Sequence, residues 1–123
     1  AKTHLDVLQK LQNRARRIIL KVKSAEHKSI SEIHDILNWE TLQNRQTRHI
    51  YSMMYKILHD MAPVYLQEKF VFKSTGYALR KPNAHNCKRT FLYRGGVMYN
   101  DLPLNIRQSS SLAIFNREIK MTI

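Results

Sequence analysis

The sequence predicts a small, mostly α-helical protein, with an α+β arrangement as the alternative. Apolar residues recur at three- and four-residue intervals in several segments, and helix-capping patterns precede some of them. β-prone residues cluster only at the two ends of residues 70–94. With 123 residues and 43% hydrophobic composition, the chain fits one domain with a modest core. We therefore expect a helical domain with a long central helix and a short β-hairpin or extended segment near residues 70–94.

The first predicted helix runs from about Thr3 to Val22, with Thr3 as its N-cap and Asp6 as the capping-box acid. Its apolar residues share one face, which we expect to meet the core: Leu5, Leu8, Leu11, Ala15, Ile18, Ile19 and Val22. Four basic residues, here named the basic stripe, are spaced four, three and four apart on what we expect to be the opposite face: Lys10, Arg14, Arg17 and Lys21. Because no acid interrupts them, the stripe predicts contact with a phosphate backbone, with a solvated polar face as the alternative.

A second, short amphipathic helix is predicted from the capping-box pair Ser29 and Glu32, ending near Asn38. Trp39 follows it. We interpret Trp39 as a core anchor between helices, and base stacking is the alternative role.

The central packing helix is predicted from about Glu40 to Met61, ended by Pro63, with one more short helical turn reaching Phe70. Residues 71–89 lose helical periodicity and read as a basic loop. The loop supplies a second predicted phosphate contact from four cations: Arg80, Lys81, Lys88 and Arg89.

Residues 90–123 are predicted to begin with an extended segment, Thr90–Arg94. Residues 90–93 of this segment could pair with Val71-Phe72 as a small hairpin. Its aromatic residues next to Arg94 pack on the helices or, alternatively, stack on unpaired bases, and Arg94 joins the predicted nucleic-acid contacts. Gly95-Gly96 is interpreted as a tight turn into a short helix that Pro103 ends. The last helix is expected to be capped by Ser110 or Ser111, with an inward face of Leu112, Phe115 and Ile119.

The net charge of +12 is unevenly distributed. Residues 1–28 carry +6, residues 31–70 carry −1 and residues 71–123 carry +7. Two basic ends around a neutral middle favour a polyanionic partner, RNA or DNA, over the alternative that the charge only maintains solubility.

Several classes of protein are not expected. No apolar run reaches the roughly 20 residues of a membrane span, no signal-peptide pattern opens the chain, and we expect an intracellular protein. The single cysteine, Cys87, excludes an internal disulfide framework and a zinc knuckle, and His85 beside it makes no complete metal site. No catalytic motif, metal site, cofactor site or small-molecule substrate is predicted.

Three groups of motifs resemble the C-terminal region of the polyproteins encoded by non-LTR (LINE, jockey-like) retrotransposons. Residues 8–20 resemble the pattern L-x-x-L-Q-N-R-A-x-R-I-I-L, and residues 37–66 resemble L-G-W-x-x-L-x-x-R … M-Y-K-I-L … A-P-x-Y-L. Residues 90–120 resemble S-Y-R-G-x-x-x-W-N-x-L-P-x-x-I-R followed by S-x-x-x-F-K-x-x-L-K. Tyr99 stands where the family usually has Trp, and the matching residues are Asn100, Leu102, Pro103, Ile106, Arg107, Phe115 and Lys120. The resemblance covers nearly the whole chain.

The resemblance implies a piece of a longer polyprotein that lies after the reverse transcriptase core and serves target-primed reverse transcription, in the cytoplasm and nucleus. Its implied partners are RNA or DNA and the upstream reverse transcriptase core. The family polymerase holds two metal ions with an aromatic-Ala-Asp-Asp turn, and this chain contains no Asp-Asp pair, so it is not expected to polymerise alone. Two alternatives stay open: a structural module that docks onto the polymerase core or another copy, and a transposon remnant without function.

Overall fold

The computed structural model of the protein describes residues 2–21, 29–72, 79 and 90–123. These residues form seven α-helices: α1 (Lys2–Ile19), α2 (Ile30–Leu37), α3 (Leu42–Leu58), α4 (Val64–Gln67), α5 (Phe91–Asp101), α6 (Leu104–Arg107) and α7 (Leu112–Thr122). The described part of the chain contains no β-strand, and its one isolated antiparallel bridge joins Phe72 to Leu79. The mostly α-helical fold class is therefore confirmed.

The chain divides into two compact units, residues 1–46 and residues 47–123. Helix α3 begins in the first unit and ends in the second. The prediction of a single domain stays a prediction.

In the first unit, polar side chains of α1 hold the segment that leads into α3. The Gln9 Oε1 atom accepts a hydrogen bond of 2.8 Å from the Leu42 backbone N–H. Gln12 donates to the Glu40 carbonyl at 3.4 Å. Because the first N–H groups of a helix have no intrahelical partner, the Gln9 amide caps α3 from a distant part of the sequence.

The prediction that the apolar face of α1 meets the core is wrong. Five of its members are exposed, Leu5 is half-buried and Val22 lies outside the described residues; the exposed members are Leu8, Leu11, Ala15, Ile18 and Ile19. The physical reason is that the polar side chains of α1, rather than its apolar ones, make the contacts with the segment before α3. Helix α1 also begins at Lys2, so Thr3 lies inside the helix and is not its N-cap.

Helix α2 begins as predicted. The Ser29 side chain accepts a hydrogen bond from the Glu32 N–H, and the Glu32 carboxylate accepts one from the Ser29 N–H, completing the capping box. Asn38 ends the helix in the left-handed region at φ 51°, a conformation that asparagine tolerates well.

Helix α3 is shorter at both ends than the predicted span of residues 40–61. Its N-terminus is capped by Thr41, whose hydroxyl accepts from the Asn44 N–H at 3.2 Å. After Leu58 the chain turns through Asp60 at φ 59°, and the Met61 N–H returns to the Lys56 carbonyl at 2.8 Å. This return satisfies an otherwise unpaired carbonyl at the end of the helix.

The second unit contains a hydrophobic core built from α3, α5, α6 and α7. Its buried members are Met54, Tyr55, Leu79, Tyr99, Leu102, Ile106, Phe115 and Ile119, and Leu112 packs against them. The Tyr55 and Phe115 rings lie 4.6 Å apart between centroids. Ser111 caps α7 by accepting from the Ile114 N–H, and the predicted inward face of that helix is confirmed.

The predicted extended segment and glycine turn are wrong, because residues 91–101 form helix α5. Thr90 is its N-cap, with its hydroxyl accepting from the Tyr93 N–H. Gly95 and Gly96 lie inside the helix. A Cβ atom on Gly95 would lie 2.7 Å from the Met54 Sδ atom, so the glycine lets α5 approach α3 closely. The predicted hairpin does not form, and Phe72 bridges Leu79 instead.

Two polar residues of the C-terminal motif, Asn100 and Arg107, make side-chain hydrogen bonds to the backbone of the second unit. The Asn100 amide makes two hydrogen bonds to the backbone of Leu79, accepting from its N–H at 2.8 Å and donating to its carbonyl at 2.9 Å. The Arg107 Nε atom donates to the Leu102 carbonyl at 3.1 Å, which ties α6 to the end of α5. These two motif residues therefore stabilise the packing of the second unit around α5 and α6.

Candidate nucleic-acid interface

The basic stripe lies along α1 and the turn that follows it. Lys10, Arg14 and Lys21 are exposed, and Arg17 is half-buried. Lys21 adopts a left-handed conformation at φ 54°, and its N–H donates to the Ile18 carbonyl at 3.1 Å. The structure therefore places Lys10, Arg14 and Arg17 on one side of α1 and Lys21 in the turn just after the helix.

No hydrogen bond or ion pair joins the four side chains of the basic stripe to another described residue. Asp6 is the one acidic residue within α1, which also carries five basic residues. Asp6 lies four residues before Lys10 and is its neighbour on the helix surface, without an ion pair between them, and no acid lies within four positions of Arg14, Arg17 or Lys21. The charge of these cations is therefore presented to solvent, where it can attract phosphate.

The position of the basic stripe on the helix corrects the prediction that it lies opposite the apolar face. Arg14 is three residues after Leu11 and four before Ile18, and residues at these separations are neighbours on a helix surface. Both Leu11 and Ile18 are exposed. The basic stripe therefore borders an exposed apolar surface.

Arg16 belongs to the same run of basic residues but has a different role. It is 0% exposed, and one guanidinium nitrogen donates to the Glu40 carbonyl at 2.9 Å and to the Trp39 carbonyl at 3.4 Å. A second nitrogen lies 3.5 Å from the Asn13 side-chain oxygen. Burial lowers the pKa of the Arg16 guanidinium, but arginine keeps its proton in proteins. Arg16 is thus a structural cation that fixes the connection between α2 and α3.

Trp39 is not the core anchor that the sequence predicts, since its side chain is 39% exposed. The Arg16 guanidinium carbon lies 5.4 Å from the Trp39 ring centroid, within range of a cation–π contact. An indole held against a buried arginine needs no apolar pocket around it, which is the physical reason why the tryptophan stays near the surface.

Of the other five residues predicted to contact nucleic acid, the structure describes only Arg94. Arg94 is exposed on α5, in the second unit, where Phe91 is also exposed and Tyr93 is half-buried. The four cations of the predicted basic loop lie outside the described residues: Arg80, Lys81, Lys88 and Arg89. The pair His85 and Cys87 lies outside them too.

Within the described residues, no cluster of three or more His, Cys, Asp or Glu side chains is arranged to hold a metal ion. None of the helices in that part of the chain has the length and apolar character needed to cross a membrane.

Comparison of the chain with protein-family models, with curated proteins and with solved structures finds no match. The family resemblance therefore rests on the motifs in the sequence.

Proposed function

We propose that this chain is the nucleic-acid-binding C-terminal piece of a non-LTR retrotransposon reverse transcriptase, supporting target-primed reverse transcription without a polymerase active site of its own. The observation that carries the proposal is the basic stripe of α1, whose cations are solvent-facing and unpaired within the described residues. Support also comes from the motif resemblance and from the net charge of +12.

In this proposal the basic stripe binds the phosphate backbone and does not read bases. Arginine presents a planar fork of donors to phosphate oxygens, and lysine acts as a mobile point charge. Each phosphate that is neutralised releases condensed counterions, so affinity falls as salt concentration rises. Arg94 and the basic loop add contacts of the same kind.

The test is fluorescence anisotropy of the purified chain with a labelled single-stranded RNA and a matching DNA duplex, titrated over salt. A log–log slope of about −3 to −6 is expected, corresponding to roughly four to seven neutralised phosphates. The variant K10Q/R14Q/R17Q/K21Q should bind more weakly and reduce the magnitude of the slope by about three.

A matched control removes the same number of charges from other exposed positions in the variant R45Q/K69Q/R117Q/K120Q. The control should keep a slope close to that of the unaltered chain. Equal slopes for the two variants would reject the basic stripe as the contact, because only total charge would then matter. A folded chain that binds neither nucleic acid at low salt would reject the proposal as a whole.

A second candidate function is docking onto a protein, such as the polymerase core. The observation that favours it is the exposed apolar face of α1. If the isolated chain is molten and folds only with the upstream polymerase, this second function gains support.

A further inference from the structure

The exposed apolar surface of α1, here named the apolar stripe, consists of Val7, Leu8, Leu11, Ala15, Ile18 and Ile19. Its five large side chains are between 53% and 68% exposed. Single exposed apolar side chains are ordinary in soluble proteins. Six on one side of one helix form a contiguous patch, which is typical of an interaction surface.

The spacing within the apolar stripe indicates what shape of partner fits it. Leu8, Leu11, Ala15 and Ile18 follow at intervals of three, four and three, which is the a/d pattern of a coiled-coil seam. The 18-residue helix is about 27 Å long, enough for two to three heptads. A second helix lying along α1 buries this seam completely.

The charges beside the seam indicate the chemistry of that second helix. Arg14 lies along one side of the seam and Lys21 lies in the turn just beyond the end of α1, whereas Gln12 and Ile19 flank the other side of the seam. The α1 helix of a second copy offers no acid to Arg14. In a parallel pair Arg14 would face Ile19 of the other copy, and in an antiparallel pair it would face the side that carries Val7 and Arg14. Charge complementarity therefore favours a partner with Asp or Glu beside its apolar seam.

A membrane surface fits the apolar stripe less well. Helices that lie on anionic membranes combine a basic polar face with Trp, Phe or Leu on the apolar face. Helix α1 contains no aromatic residue, and its cations border only one side of the apolar stripe. The other side of the helix is held by hydrogen bonds to the segment before α3.

We infer that the apolar stripe of α1 is a docking site for an acidic amphipathic helix of a protein partner, which packs its apolar seam on Leu8, Leu11, Ala15 and Ile18 and places carboxylates against Arg14 and Lys21. This site shares Arg14 and Lys21 with the basic stripe, so an acidic helix and a phosphate backbone would compete for these two cations, but the docking proposal does not require the nucleic-acid function.

The experiment uses two fluorescent synthetic helical peptides of three heptads with Leu and Ile along the seam, one with Glu and the other with Lys at the flanking positions. The whole chain is expected to bind the Glu peptide at least about tenfold more tightly than the Lys peptide. The variant L11S/I18S should weaken binding of the Glu peptide by about tenfold or more. Because both side chains are exposed, its circular dichroism spectrum should match that of the unaltered chain.

The control V64S/M121S removes two apolar side chains of comparable exposure outside α1 and should bind the Glu peptide normally. The charge reversal R14E/K21E should transfer the preference to the Lys peptide. Equal binding of both peptides, or an unchanged L11S/I18S variant, overturns the proposal. So does binding to vesicles of phosphatidylcholine and phosphatidylserine without binding to either peptide. Self-association that L11S/I18S abolishes overturns it too, since a second copy would then occupy the apolar stripe.

Discussion

In residues 47–123 the most buried side chains are apolar or aromatic, as with Met54 and Phe115, whereas in residues 1–46 the most buried side chain is that of Arg16. The second unit places its apolar residues in a core, with its buried polar groups paired to backbone atoms. The first unit hydrogen-bonds backbone with polar side chains and leaves the apolar stripe outside. An amphipathic pattern therefore marks two sides of a helix, and the contacts available to each side decide which one is buried.

The largest expected effect on the unfolding free energy comes from truncating an apolar side chain in the second unit, compared with the same change in the first unit. F115A removes a ring that is 0% exposed and should cost about 3–5 kcal/mol of unfolding free energy, a large fraction of the stability of a small domain. L11A removes a side chain from the apolar stripe and should change stability by less than about 0.5 kcal/mol. Urea denaturation followed by circular dichroism measures both. A cost for L11A close to that of F115A would mean that the apolar stripe is buried in solution, and the contrast between the units would fail.

The next effect concerns Arg16, the most buried side chain of the first unit. R16A should cost about 1.5–3 kcal/mol, because the Trp39 and Glu40 carbonyls lose charged donors. The chain has one tryptophan, so fluorescence of Trp39 reports this unit during urea denaturation. R17A is the matched control and should change stability by less than about 0.5 kcal/mol. If R16A and R17A behave alike, Arg16 does not stabilise the unit.

A smaller pair of effects tests the packing of the second unit at adjacent glycines. G95A places a Cβ atom 2.7 Å from the Met54 Sδ atom, and the crowding should outweigh the gain in helix propensity, for a net cost of about 1 kcal/mol. No described atom lies within 4 Å of a Cβ atom on Gly96, so G96A should stabilise the protein by about 0.5–1 kcal/mol. Thermal denaturation of the two variants should show shifts of opposite sign. Shifts of the same sign would show that α5 does not pack on Met54 as described.

The smallest effect is a dependence on alkaline pH. Burial raises the pKa of the Tyr99 hydroxyl, and the nearby Arg107 acts in the opposite direction. A raised pKa means that the folded state holds this proton more tightly than the unfolded state. The contribution of the protonated Tyr99 hydroxyl to the unfolding free energy is therefore complete below the unfolded-state pKa of about 10, and it is lost as the pH rises through the folded-state pKa. The urea midpoint should fall less steeply above pH 10 in Y99F than in the unaltered chain, whereas Y65F, at an exposed tyrosine, should follow the unaltered chain. If the urea midpoint depends on pH in the same way in Y99F and in the unaltered chain, Tyr99 is not a cause of the loss of stability at alkaline pH.

Local patterns in the sequence predicted some of the helix starts. Ser29 with Glu32 caps α2 as expected, and Ser111, one of two expected residues, caps α7, because capping needs only residues a few positions apart. The expected cap at Thr3 was wrong, since α1 already begins at Lys2. The second half of the helix at residues 91–101 was expected as a short helix, but its first half was missed because two adjacent glycines favour a break in a helix. Gly95 lies within the helix because Met54 packs closely against it. This is a tertiary contact, which hydrophobic periodicity cannot reveal.

The candidate site was predictable in part. Exposure of Lys10 and Arg14 agrees with their expected position on a polar face. The burial of Arg16 was missed because its position in the basic run of the sequence does not show which side of the helix it occupies. At about 100° per residue, Arg16 lies beside Gln9 and Gln12 and well away from the basic stripe. That position was a usable signal, since Gln9 and Gln12 are the side chains that contact the segment before α3.

The double hydrogen bond between Asn100 and the backbone of Leu79 joins residues that lie 21 positions apart in the sequence. Leu79 is fully buried, and it is also bridged to Phe72. A buried backbone donor and acceptor each need a hydrogen-bond partner. Because one amide side chain satisfies both of them, Asn100 acts on this residue as a neighbouring strand would.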